Sequence, residues 1–178
     1  HHFQEIRETE QLYGLKPKKL IKAGYGIVDS ILASRESDGD NMNQSNRAIQ
    51  RVLIAPSWGE NSLLESVGSA LIQVILEAGY QLTVRPHTMT IRRSPKLLNE
   101  LQKQFSSNSG FILDTDLLSQ GTVHSYDIMV SDWSGAALEY AFGLERPVLF
   151  VDVRKKINNP DYGKISHVPI EVQLRSKL

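Results

Sequence analysis

Short apolar runs rich in β-branched residues recur along the chain and are separated by stretches with helical periodicity. Runs that are apolar throughout, without alternation, are typical of parallel strands covered on both faces. We therefore predict strands in six places: KLIKA (19–23), RVLIAP (51–56), QLTVRP (81–86), GFILD (110–114), YDIMVSD (126–132) and PVLFVD (147–152).

The clearest helical pattern lies between the second and third predicted strands. Apolar residues recur there at intervals of three and four over 63–78, and Ser62 with Glu65 has the spacing of a capping box. Further helices are predicted from Ser94 and Pro95, over 116–120, and from Ser134 to Phe142 with an end at Gly143. Strands that alternate with helices predict an α/β fold: a doubly wound, Rossmann-like sheet of six parallel strands.

The length of 178 residues suits one ordinary domain. We expect residues 3–178 to form a single nucleotide-binding domain after a tag remnant at 1–2. The polar stretch 34–47 is predicted to be a mobile loop, and 154–178 a surface tail. The sequence begins without methionine, in what resembles the middle of a helix, so we expect it to be a piece of a larger protein.

Composition narrows the classes of function. Twenty basic residues balance twenty acidic ones, which argues against nucleic-acid binding by counterion release. The absence of cysteine excludes disulfides and thiolate-bound zinc, and it favours the cytoplasm. No apolar stretch approaches the roughly 20 residues of a membrane span. His87, His124 and His167 lie in separate segments, so we predict neither a metal site nor a cofactor.

Three loops at the carboxyl ends of predicted strands carry chemistry: PSWGENS, RPHTMTIRR and SDWSGAALE. Such loops open on one edge of a parallel sheet, where ligands bind. In the third loop, Ser131, Ser134 and Gly135 offer hydroxyls and helix N-terminal amides to a phosphate. Glu139, about one turn later, can accept hydrogen bonds from a ribose. These features predict a nucleoside diphosphate site; the alternative is that Ser134 only caps the helix and Glu139 is solvated.

Five segments together resemble the C-terminal half of the CDP-glycerol glycerophosphotransferase family, the teichoic-acid polymerase and primase group. They are RPH, SDWSGAALEYAFGLERPVLF, KINNPDY, APSWG and LIKAGYGIVDSIL, and the resemblance spans about 12–172. It implies a GT-B architecture, in which the C-terminal domain holds the activated nucleotide and the N-terminal domain meets the acceptor.

The resemblance also implies an activity and partners. A polyol phosphate would pass from a CDP-activated donor to an acceptor hydroxyl, with release of CMP. The acceptor, a polyol phosphate or glycolipid, and the general base would belong to a missing N-terminal domain. Family members act at the inner face of the bacterial membrane, which implies a cytoplasmic protein with peripheral membrane attachment.

Matching the family motifs residue by residue assigns roles to individual side chains. His87 is placed beside the donor pyrophosphate as the catalytic residue, although Thr88 stands where the family usually has proline. The nucleotide and phosphate contacts implied by the resemblance are Ser57, Trp58, Gly59, Arg85, Ser131, Asp132, Trp133, Ser134, Gly135 and Glu139.

Structural interpretations stand beside these assignments. His87 fits an ordinary surface loop, and Asp132 fits a turn in which the carboxylate accepts backbone amides. Trp133 fits core packing better than base stacking. Arg92 and Arg93 are predicted to be a solvated pair.

Two other functions fit the same residues. The first is a GT-B domain that uses a UDP-sugar, as in a glycosyltransferase or a nucleotide-sugar 2-epimerase, because those sites also use a serine–glycine turn followed by glutamate. The second is a non-catalytic nucleotide-binding module. Fold alone does not separate them.

Overall fold

The computed structural model describes residues 2–37, 50–116, 123–155, 157 and 159–175 of the chain. The chain divides into two compact units: residues 26–156 form the larger unit, and residues 1–25 with 157–178 form the smaller. Every predicted site residue lies in the larger unit.

The larger unit is built on a sheet of five parallel strands. They are β1 (Arg51–Ile54), β2 (Gln81–Val84), β3 (Phe111–Leu113), β4 (Ile128–Ser131) and β5 (Val148–Phe150). Their order across the sheet is β3-β2-β1-β4-β5. This confirms the predicted Rossmann-like parallel α/β class.

The prediction of six strands is wrong by one. Residues 19–23, in the smaller unit, form no strand. Ile21 is 74% exposed there, and three lysines lie within or beside the segment. Three apolar residues, Leu20, Ile21 and Ala23, in a basic segment do not supply a continuous buried face for pairing with a sheet.

The described helices are α1 (His2–Leu12), α2 (Gly26–Ser37), α3 (Leu63–Glu77), α4 (Thr88–Arg93), α5 (Pro95–Phe105), α6 (Gly135–Leu144) and α7 (Ile170–Arg175), with 3₁₀ turns at 123–125 and Tyr162–Lys164. The predicted helices over 63–78, from Ser94–Pro95 and from Ser134 therefore form. Most of the predicted helix 116–120 lies outside the described residues. The predicted loop 34–47 begins inside α2, and its part from 38 onward also lies outside them.

Alternate residues of the strands enter two separate cores. Val52 and Ile54 of β1 pack with apolar residues of α3 and α5 on one face. Leu53 of β1 and Met129 of β4 pack on the other face, against α6 and against Ile31 of α2. The central strands are therefore covered on both faces, which explains why they are mainly apolar.

The chain order of the strands reverses between β1 and β4. From β1 the chain proceeds outward to β2 and β3, whereas β4 returns to the other side of β1 and is followed outward by β5. In register, Val52, Leu53 and Ile54 pair with residues 128–130. Ligands of open α/β sheets bind beyond the carboxyl ends of the strands at such a switch point. The loops after β1 and β4 are therefore the expected walls of a site.

Asp132, in the turn after β4, joins these two loops. Its buried carboxylate accepts hydrogen bonds from the Ser57 amide at 2.6 Å, the Ser57 hydroxyl at 2.9 Å and the Leu63 amide at 2.8 Å. Leu63 opens α3, so the carboxylate lies at the positive end of that helix. The neighbouring Ser131 hydroxyl, also buried, donates to the Ala55 carbonyl at 2.6 Å.

The predicted capping box does not form in its usual way. The Ser62 hydroxyl bonds the Glu65 carboxylate and caps no backbone amide of α3. Asp132, distant in sequence, accepts a hydrogen bond from the amide of Leu63, the first residue of the helix. A tertiary contact therefore contributes to the start of α3.

A glycine sets the distance between α2 and α6. A Cβ atom at Gly143 would lie 2.6 Å from Cγ2 and 3.0 Å from Cβ of Ile31. Real Cβ atoms do not approach other carbons so closely, so α6 can pack this near to α2 only because residue 143 has no side chain. Tyr140, on the same helix, is buried, and its hydroxyl donates to the Tyr126 carbonyl at 2.7 Å. Burial raises the pKa of Tyr140 to about 12, so this donor stays protonated.

The smaller unit pairs α1 with the C-terminal segment, which was expected to be a surface tail. The Glu8 carboxylate accepts hydrogen bonds from the His167 amide at 2.9 Å and from the Ser166 hydroxyl at 3.0 Å. The hydrogen bond from the His167 amide lowers the pKa of Glu8 below its usual value. The Tyr13 hydroxyl lies 2.9 Å from the Asp161 carboxylate.

We predict that Asp132→Ala destabilises the protein by about 3 kcal/mol, because it leaves the Ser57 and Leu63 amides without a buried acceptor. Urea unfolding of both proteins measures the difference as a shift in midpoint. Glu60→Ala is the matched control, since it removes an exposed carboxylate from the loop after β1, to which Asp132 bonds, and should change stability by less than about 0.5 kcal/mol. Equal midpoints for the two variants would contradict the role given to Asp132.

Candidate functional site

A cavity of about 710 Å³ opens at the carboxyl edge of the sheet, within the larger unit. Its apolar wall comes from β1, β4 and α2, and its polar wall comes from the loops that follow β2, β3 and β4. The polar and charged residues that line it are Ser30, Arg85, His87, Thr88, Asp114, Thr115, Asp116, Ser134, Glu139 and Tyr140.

The turn from β4 into α6 brings Ser134 and Glu139 to the same cavity, as predicted from their spacing. Ser134 is the N-cap of α6, and its hydroxyl accepts a long hydrogen bond of 3.4 Å from the Ala136 amide. Ser134 therefore caps α6, but with a weak bond. A Cβ atom at Gly135 would meet nothing within 4 Å, so the start of α6 is open to the approach of another molecule.

His87 and Arg85 enter the cavity from the loop after β2. His87 is the N-cap of α4, and its Nδ1 accepts a hydrogen bond from the Met89 amide at 3.0 Å. A neutral imidazole whose Nδ1 is an acceptor carries its proton on Nε2. The Arg85 Nε donates to the Asp114 carboxylate at 2.9 Å, and its guanidinium lies 5.9 Å from the Tyr126 ring centroid.

Other predicted contacts have their side chains bonded within the protein. The Ser57 hydroxyl donates a hydrogen bond to the Asp132 carboxylate. The Ser131 hydroxyl donates one to the Ala55 carbonyl. The Trp133 indole donates to the Val153 carbonyl at 2.9 Å. These four predicted residues are not among those that line the cavity. They connect the loops that form its rim.

The loop after β1 turns sharply beside His87. Gly59 has a φ of 111°, a left-handed conformation that favours glycine. Trp58 stacks with the His87 ring at a centroid distance of 6.2 Å and an interplanar angle of 27°. The Arg93 guanidinium lies 5.2 Å from the Trp58 ring centroid, and both Arg92 and Arg93 are exposed, as the sequence predicted.

Sequence reasoning missed two parts of the cavity. Asp114, Thr115 and Asp116 follow β3, and Ile27 and Ile31 of α2 line the apolar wall. The carboxylates in GFILDTD were visible in the sequence at the end of a predicted strand. These carboxylates belong to no recognised motif. Arg85, which forms an ion pair with Asp114, lies in another loop.

Within the described ranges, no three His, Asp or Glu side chains come together as a metal site. No helix in these ranges is long and apolar enough to cross a membrane.

Two solved structures resemble the chain in fold. The first is a UDP-GlcNAc 2-epimerase from Methanocaldococcus jannaschii in complex with UDP-GlcNAc and UDP. It is 17% identical at a TM-score of 0.55, over 90% of this chain and 46% of the epimerase. The second is a UDP-GlcNAc 2-epimerase from Neisseria meningitidis bound to UDP-GlcNAc. It is 21% identical at a TM-score of 0.54, over 86% and 44% of the respective chains. The chain thus spans less than half the length of either structure, and at this identity the similarity shows the fold alone.

Comparison with curated protein sequences gives no match. The model of one protein family, CDP-Glycerol:Poly(glycerophosphate) glycerophosphotransferase, matches residues 3–156. That range contains β1 to β5 and every residue of the cavity. Because the match covers most of the sequence, the chain belongs to the CDP-glycerol:poly(glycerophosphate) glycerophosphotransferase family.

Proposed function

We propose that the chain is the donor-binding half of a GT-B transferase that moves a polyol phosphate from a CDP-activated donor to an acceptor hydroxyl and releases CMP. One observation carries the proposal: in a member of this family, Ser134, Glu139, Arg85 and His87 line a single cavity at the switch point of the sheet. Those are the residues to which phosphate, ribose and leaving-group roles were assigned.

The donor would lie with its pyrophosphate at the start of α6. Helix N-termini attract anions through their unpaired amides and the helix dipole. The 3.4 Å bond between Ser134 and the Ala136 amide is weak enough for a phosphate oxygen to displace it. Glu139 would accept hydrogen bonds from the ribose hydroxyls. The donor is thereby held at both its charged and its sugar portions.

The reaction would occur at the phosphorus distal to cytidine. The acceptor oxygen forms a new bond to that phosphorus, the bond to the bridging oxygen breaks, and CMP leaves with the electron pair. Phosphoryl transfer depends mainly on stabilising charge on the leaving oxygens. His87 would donate from Nε2 to the leaving phosphate. The acceptor proton passes to a base that we assign to the other half of the enzyme.

Arg85 would add positive charge beside the pyrophosphate. Its guanidinium is fixed by the ion pair with Asp114 at 2.9 Å, which limits the conformational entropy lost when a donor binds. Ser57, Gly59, Asp132 and Trp133 would shape the rim. We place this activity in the cytoplasm at the inner face of the bacterial membrane, with a polyol phosphate or glycolipid as acceptor and teichoic-acid synthesis as the setting.

A UDP-sugar is the second candidate donor. The two fold neighbours are UDP-GlcNAc 2-epimerases that hold UDP-GlcNAc in their crystals. A cavity that binds ribose and pyrophosphate accepts either pyrimidine unless another contact selects the base.

Calorimetry of the isolated chain with CDP-glycerol, CDP, UDP and UDP-N-acetylglucosamine tests the choice of donor. We expect CDP-glycerol to bind most tightly and no compound to be turned over, because the proposal assigns the acceptor site and the general base to another domain. No binding at about 1 mM would contradict the proposed function. A preference for UDP-N-acetylglucosamine would favour the second candidate.

We predict that Glu139→Gln weakens CDP-glycerol binding by about 1.5 to 3 kcal/mol, because the ribose hydroxyls lose a charged acceptor. Calorimetry measures the difference. Glu100→Gln, an equal charge change on the exposed face of α5, is the control and should leave the affinity unchanged. Equal affinities of the two variants would contradict the role of Glu139 in ribose binding.

Ser134→Ala separates capping from phosphate binding. If the hydroxyl contacts phosphate, CDP-glycerol affinity falls by about 1 kcal/mol or more while binding of cytidine is unchanged. Cap loss alone would lower stability by about 1 kcal/mol without discriminating between the two ligands. Urea unfolding and calorimetry on the same variant distinguish these results.

A further inference from the structure

Trp58 lies behind the predicted catalytic histidine and not on the surface of the cavity. It stacks with the His87 ring at 6.2 Å, which is within the range of attractive ring contacts. His87 lines the cavity and Trp58 does not. A direct contact between Trp58 and the nucleotide therefore has no support from this placement.

Trp58 is held by its neighbours on both sides. In the preceding residue, Ser57, the amide and the hydroxyl donate hydrogen bonds to the Asp132 carboxylate at 2.6 Å and 2.9 Å. The residue after it, Gly59, has a φ of 111°, and its carbonyl accepts the Ser62 amide at 2.8 Å. The loop thus presents the indole from a fixed backbone.

Two restraints of different kind act on the His87 imidazole. The Met89 amide, 3.0 Å from Nδ1, fixes one atom but leaves the ring plane able to tilt about that bond. The face of Trp58 restricts the tilt. Arg93, 5.2 Å from the indole centroid, in turn holds the indole through a cation–π contact. A hydrogen bond and a stacked face together define the direction of Nε2.

We infer that Trp58 is a positioning residue that orients His87 Nε2 toward the donor phosphate. This rests on the proposed function for the identity of the ligand, although the restraint itself exists without one. Asp132 then has an indirect part in the site, because it fixes the loop that carries Trp58. Such orientation favours binding of the donor, because the His87 side chain then loses less conformational freedom when the donor binds.

The restraint is tested first without ligand. NMR three-bond couplings report whether the His87 side chain keeps one rotamer, and imidazole ¹⁵N shifts report its tautomer. We expect a single rotamer in the wild type and in Trp58→Phe, which keeps a stacked ring, and averaging in Trp58→Leu. A single rotamer in Trp58→Leu would overturn the inference, whatever the protein binds.

Calorimetry with CDP-glycerol then tests whether Trp58 acts through His87. We expect Trp58→Leu and His87→Gln each to weaken binding about tenfold, the double variant to be no weaker than either, and Trp58→Phe to bind like the wild type. If the affinity losses of the two single variants multiply in the double variant, Trp58 contributes to binding independently of His87. That result would overturn the inference.

Arg93→Gln and Arg92→Gln form a matched pair, because the two exposed arginines are adjacent and Arg93 is the one that lies over the indole. We expect Arg93→Gln alone to weaken binding, by about twofold. Equal effects would contradict a role for Arg93 in the stack. If the wild type binds no nucleotide, the proposed function fails, and the rotamer couplings still decide the role of Trp58.

Discussion

The buried carboxylate of Asp132 is the constraint on which the carboxyl edge of the sheet depends. A charge removed from water needs several hydrogen bonds to compensate its lost hydration. Asp132 obtains three from one loop, two from Ser57 and one from the first residue of α3. The loop after β1 must therefore lie against the turn after β4. The rim of the cavity, the start of α3 and the placement of Trp58 all follow from that pairing.

The sequence predicted the parallel sheet because its central strands are largely buried and therefore mainly apolar. The same rule failed for residues 19–23, since an apolar run does not reveal whether a neighbouring strand exists. The start of α3 was predicted at the right residue but with the wrong cap. Ser62 and Glu65 have the spacing of a local motif, whereas the amide of Leu63 is bonded by Asp132. A local pattern contains no information about a competing acceptor that is distant in the chain.

The site shows the same division between what spacing reveals and what it does not. Strand ends predicted the correct edge, and Ser134, Glu139, Arg85 and His87 do line one cavity. The family motif did not separate the side chains of this turn that face the protein from those that face the cavity. In SDWSG, Ser131 and Asp132 turn toward the protein and Ser134 toward the cavity; for Asp132 this agrees with its interpretation as an acceptor of backbone amides. The motif therefore mixes residues that line the cavity with residues that hold the loops.

The absence of a side chain at residue 143 has a consequence for the cavity. Cγ2 of Ile31 lies only 2.6 Å from the position that a Cβ atom would occupy, and the same isoleucine, with Ile27, forms part of the apolar wall. A methyl group at 143 could be accommodated only if Ile31 shifted, and that shift would alter the apolar wall. Residue 143 therefore bears on the shape of the cavity, although it is not among the residues that line it.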